Sequence, residues 1–102
     1  MSDVEETLER IKMKPGVIGY VICNSDGTVL RRFPSMTPEQ AQQYAAAMQK
    51  LAAKAGGVVR DMNPTDALEY LRIRCKRQEV VVARDDRFLV IVIQRWMPAE
   101  QA

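Results

Sequence analysis

Residues 71–83 read LRIRCKRQEVVVA, and the way they alternate decides what kind of fold this chain adopts. Arg72, Arg74, Lys76 and Arg77 put four cations within six residues. Successive side chains of a strand point to opposite faces, so Leu71, Ile73 and Cys75 are expected inward and Arg72, Arg74 and Lys76 outward. That makes a strand from Leu68 to Cys75, a polar turn at Lys76–Gln78, and a second strand from Glu79 to Ala83. A third strand, Arg87 to Gln94, follows the turn Arg84–Asp86. It is apolar at every position from Phe88 to Ile93. A strand with no polar face belongs at the centre of a sheet, covered on both sides.

Toward the N-terminus the same logic gives a hairpin over residues 16–33. Val17 to Cys23 is apolar on both alternating faces, Asp26-Gly27 supplies the turn, and Thr28 to Phe33 returns with Arg31 and Arg32 at a sheet edge. Between hairpin and three-stranded unit lies a helix. Thr37 is its N-cap, Pro38 its first residue and Gln40 the reciprocal capping-box partner, while Gly56-Gly57 is expected to stop it. Ala41, Tyr44, Ala45, Met48, Leu51, Ala52 and Ala55 recur at steps of three and four on one side. An alanine-rich surface lets another helix approach closely. A shorter helix is expected before Pro15-Gly16, with Ser2 and Glu5 at capping-box spacing and Val4, Leu8 and Ile11 as its apolar stripe.

The expected fold is therefore α+β in the order α-β-β-α-β-β-β, with a five-stranded antiparallel sheet and a helix on each face. At 102 residues it is a single domain, 1–102, with residues 95–102 a frayed tail. Two helices are little cover for both faces of such a sheet, which points to a homodimer. Net charge is +2 with 47% apolar residues, a globular balance and not the strongly basic one of a nucleic-acid domain. The basic strand also lacks interleaved aromatics for stacking, since Tyr70 is its single aromatic neighbour. A solvated face and a protein-docking face remain the two readings of it.

Chemistry is sparse. The chain has no histidine, which removes the commonest general base and zinc ligand. No Walker loop, GxGxxG or GxSxG is present, and Asp61, Asp66, Asp85 and Asp86 lack a metal-loop frame. Cys23 and Cys75 stand apart with no CxxC spacing and are expected as reduced structural thiols of an intracellular protein. The acidic start lacks the apolar core of a signal peptide, and the six-residue run FLVIVI is far short of the roughly 20 residues of a membrane helix. No enzyme activity, cofactor, metal, nucleic acid or membrane insertion is expected.

Three segments, VEETLERIKMKPGVIGYVICNSDG, VVRDMNPTDALEYLRIRCKRQEVVVA and FLVIVIQ, resemble the roadblock-type dynein light chains over Val4 to Gln94. Arg84, where proline is common in that family, and the stretch RRFPSMTPEQAQQ depart from its pattern. The resemblance implies a homodimer whose long helices pair antiparallel and whose sheets join edge to edge through the Leu68–Cys75 strand. On that basis the candidate interface is Ala41, Tyr44, Ala45, Met48, Leu51 and Ala52 of the helix with Tyr70, Leu71, Arg72, Ile73 and Arg74 of the strand. The implied function is non-catalytic: an adaptor that binds a dynein intermediate-chain segment, in the cytoplasm on the microtubule cytoskeleton or in a cilium or flagellum. The alternative is a small-GTPase-regulating or scaffolding member of the wider superfamily.

Overall fold

The computed structural model describes residues 6, 16–85 and 87–95. The expected N-terminal helix, apart from Glu6, and the residues after Arg95, Trp96 among them, lie outside that set. The described elements are β1 (Val17–Asn24), β2 (Val29–Arg32), α1 (Pro38–Met62), β3 (Tyr70–Arg74), β4 (Gln78–Arg84) and β5 (Phe88–Arg95). All five strands form one antiparallel sheet in the order β2-β1-β5-β4-β3. The all-apolar β5 is thus central, as its composition requires, and the arginine-bearing β2 and β3 are the two edges.

The sheet has two apolar faces. Val21, Cys23, Val80, Val82, Leu89, Ile91 and Ile93 pack with Ala41, Ala45 and Ala52 of α1 in the main core. Tyr20 and Ile22 lead a smaller cluster on the opposite face, where the Tyr20 and Phe33 rings meet edge to face at 5.4 Å. Both faces of β1 are therefore buried, as its two apolar alternating sets demand. The β1–β2 turn uses Gly27 at φ 88°, a conformation costly for residues with a Cβ. Asn24 Oδ1 accepts from the Asp26 and Thr28 backbone N–H groups inside that turn.

The start of α1 matches expectation. Thr37 Oγ1 accepts from the Gln40 N–H at 3.1 Å, and Gln40 Oε1 accepts from the Thr37 N–H at 3.0 Å. Its end does not. The helix runs through Gly56-Gly57 for 25 residues to Met62, and Asn63 caps it with its N–H bonded to the Val59 carbonyl. Glycine tolerates helical backbone as well as the left-handed kind, so a Gly-Gly pair signals a stop only when nothing downstream holds the turn. Here Val58 and Val59 continue the apolar periodicity, and the true stop is Asn63-Pro64, because proline disfavours helical backbone in the residue before it. Cys75 also departs from expectation. It lies just past β3 and is exposed, because the strand's inward alternation ends at Ile73 as the chain turns toward Gln78. Arg95, expected in the tail, is the last residue of β5.

Candidate self-association and docking surfaces

The outer edge of β3 follows from its pairing with β4. Tyr70 faces Ala83, Leu71 faces Val82, and the register continues to Arg74 opposite Glu79. On the same register the Arg84 N–H bonds to the Glu69 carbonyl and the Cys75 N–H to the Gln78 carbonyl. Hydrogen-bonded pairs alternate in an antiparallel ladder, so Leu71 and Ile73 spend their backbone groups on β4. Tyr70 and Arg72 direct theirs outward. The side chains divide the same way: Leu71 and Ile73 pack on the main core, while Tyr70 is 60% exposed on the opposite face.

The cations of this strand are held largely within the chain. Glu79, on β4, is only 3% exposed. Its Oε2 accepts from Arg74 Nη2 at 3.1 Å and Nε at 3.3 Å, and it lies 3.7 Å from Arg72 Nε. Its Oε1 accepts from Gln94 Nε2 on β5 at 2.8 Å. The Gln94 hydrogen bond is the foremost cause that holds this carboxyl below the usual carboxylate range, joined by Arg74 and Arg72 against the opposing effect of burial. Such an arrangement matches a buried charge with charged hydrogen-bond donors. It offsets one of the two arginine charges and leaves the face beside the β3 edge with a net positive charge.

On α1 the structure separates residues the sequence grouped together. Ala41, Ala45 and Ala52 are sealed against the chain's own sheet at 0%, 0% and 2% exposure, so their surface is already spent. Tyr44 and Met48 are half-buried on the rim of that core, and Tyr44 Oη accepts from Gln78 Nε2 at 3.2 Å. Leu51 is exposed. Beyond it the sequence reading missed two residues. Tyr44, Met48, Leu51, Ala55, Val58 and Met62 are spaced 4, 3, 4, 3 and 4 apart, the heptad spacing of a coiled-coil seam. Val58 and Met62 are 50% and 76% exposed. They were legible as a continuing heptad, but the Gly-Gly pair was read as the end of the helix before that pattern could be followed.

The opposite flank of α1 faces the other end of the sheet. Gln42 Nε2 donates to the Gly27 carbonyl of the β1–β2 turn at 3.3 Å, and Gly56 meets the Arg84 side chain at the end of β4. Among the described residues no group of histidine, cysteine or acidic side chains is placed to hold a metal, and no helix is long and apolar enough to cross a membrane. Cys23 is fully buried, and burial raises its thiol pKa.

Comparison with known proteins places this geometry. The model of the Roadblock/LC7 domain matches residues 3–95. A Roadblock/LC7 domain from Streptomyces avermitilis superposes with a TM-score of 0.79 at 13% identity, covering 86% of this chain and 73% of its own. The gliding protein MglB from Thermus thermophilus superposes at 0.73 and 15% identity, covering 92% and 72%. MglC from Myxococcus xanthus gives 0.54 at 11% identity, covering 93% and 81%. At such identities the likeness is one of fold.

Proposed function

The chain belongs to the Roadblock/LC7 domain family, and from that premise we propose that it is a non-catalytic scaffold that acts as a homodimer and regulates or docks a small GTPase. The observation that carries self-association is the apolar heptad seam from Tyr44 to Met62, left half-bare beside the stripe of Ala41, Ala45 and Ala52 that the chain's own sheet buries. Isolated apolar residues on a surface need no explanation, but a six-residue seam in register does. A second copy laid antiparallel would bury it, and the outward backbone groups of Tyr70 and Arg72 would let the two sheets join at β3.

The GTPase partner rests on likeness. The sequence resembles a superfamily whose wider members bind or regulate small GTPases, and the bacterial relatives of this fold include a gliding protein. A non-catalytic role is consistent with a chain that contains no histidine. The second reading, a dynein light chain that binds an intermediate-chain segment on the microtubule cytoskeleton, keeps the support of LRIRCKRQEVVVA and LVIVIQ. Sedimentation at micromolar concentration tests the dimer, and a stable monomer there would refute it. Affinity capture then separates the partners: a small GTPase recovered in a nucleotide-dependent manner supports the first reading, and a stoichiometric intermediate chain the second.

A further inference from the structure

The heptad seam of α1 covers itself completely in one antiparallel register only. Two copies that interleave their seams can set Tyr44 against the partner's Met62, Met48 against the partner's Val58, and Leu51 against the partner's Ala55. The two-fold axis repeats each pair from the other chain, so every seam residue of both copies has an opposite number. Sliding one helix by a heptad breaks this. One slide sets Tyr44 against the partner's Ala55 and Met48 against the partner's Leu51, and it strands Val58 and Met62. The reverse slide sets Leu51 against the partner's Met62 and strands Tyr44 and Met48. Val58 and Met62 are 50% and 76% exposed, so stranding them forfeits much of the apolar area that drives pairing. The complete register also places large Leu51 over small Ala55 at its centre, which lets the two layers interdigitate.

Tyr44, the first residue of the seam, also lines a cleft. The cleft is about 290 Å³ and opens between the start of α1 and the adjoining ends of β1, β4 and β5. Ile18, Met36 and Ile93 give it apolar walls, and Gln40 and Gln78 polar ones. The Gln78 Nε2 hydrogen bond to Tyr44 Oη, 3.2 Å long, fixes the tyrosine at its rim. Methionine suits such a space. It is unbranched and polarisable, fills irregular gaps, and makes favourable sulfur contacts with an aromatic ring. Met62 is the last residue of α1 and the most exposed of the large apolar side chains. Its own Tyr44 lies about 27 Å away along the helix, so the tyrosine it can reach is the one in a second copy.

We infer that two copies pair in this one register and that the partner's Met62 enters the cleft beside Tyr44, so that each copy completes the other's cleft. The inference rests on the homodimer reading and deepens it by fixing which residues meet. With methionine methyl groups labelled for NMR, Met62 should show a nuclear Overhauser contact to a Tyr44 ring, which the length of α1 allows only between copies. Mixing variant chains checks the register independently. Met48→Glu should pair with Val58→Lys at least tenfold more tightly than either variant pairs with itself. It should show no such preference for Leu51→Lys, which faces it only in a slid register, or for Met48→Lys, which faces it only in a parallel pair. Met62→Ala should weaken dimerisation several-fold with helix content unchanged. A protein that sediments as a dimer yet lacks the Met62–Tyr44 contact, or in which Met48→Glu prefers Leu51→Lys or Met48→Lys, would overturn the register and leave the homodimer standing. A monomer would overturn both.

Discussion

Substituting Gly57 by alanine tests the point at which local sequence and tertiary structure disagree. In the structure Gly57 is inside α1, and the described glycines with positive φ are Gly16 and Gly27. A Cβ built on Gly57 meets nothing within 4 Å. Alanine there loses less backbone entropy on folding than glycine and should stabilise the protein by about 0.8–1 kcal/mol. For a domain of this size each kcal/mol is worth roughly 4–8 °C in Tm, so the melting temperature should rise by about that much. If instead the helix ended at Gly56-Gly57 with Gly57 in left-handed backbone, alanine would cost roughly 1–2 kcal/mol and Tm would fall. Circular dichroism melts and urea titrations at one fixed protein concentration read the sign, the fixed concentration keeping the mass-action contribution of association the same for both proteins. Gly56→Ala is the companion. It gains the same propensity but must displace the Arg84 guanidinium, the free end of a flexible side chain, so its gain should be smaller. A drop in stability for Gly57→Ala would refute the continuous helix, and the heptad seam with it.

Other outcomes follow from the same geometry. Leu51→Glu with Val58→Glu should shift sedimentation from dimer to monomer while the circular dichroism of each chain is retained. Glu79→Gln should destabilise the protein at neutral pH by leaving Arg72 and Arg74 facing a neutral amide. Because folding lowers the Glu79 pKa, its contribution is present above the unfolded carboxylate pKa and fades as pH falls through the depressed folded value. The gap between wild type and Glu79→Gln in urea melts should therefore narrow on acidification, and a gap independent of pH contradicts this account. Native protein should react with a thiol reagent at Cys75 and not at buried Cys23, with both reacting in denaturant. Thr37→Ala removes the cap at the start of α1 and should cost about 1 kcal/mol in a thermal or urea melt.

Much of the fold was legible before any coordinates. The unbroken apolar run of β5 required a central strand, the arginines of β2 marked an edge, and Thr37, Pro38 and Gln40 defined the start of α1, because each of these signals is local; the edge position of β3 came only with the family resemblance. The candidate interface was legible only in part. Periodicity grouped Ala41, Ala45 and Ala52 with Tyr44, Met48 and Leu51, since all recur at helical spacing. It could not say which of two adjacent stripes the chain's own sheet would consume.

That division belongs to tertiary structure, for a physical reason. A heptad pattern reports which residues share a side of a helix, whereas burial depends on where the sheet lies beneath it. Cys75, expected inward, is exposed because it lies past the end of β3 where the chain turns toward Gln78. The arginines of LRIRCKRQEVVVA were identified from sequence as a charged outer face, and the offset by Glu79 was visible across the hairpin. Only the folded sheet brought Gln94 to the same carboxylate. Gly56-Gly57 shows the limit most directly. Glycine permits both a helix end and a helix interior, and the packing of Arg84 over Gly56, with Val58 and Val59 continuing the helix, chose between them.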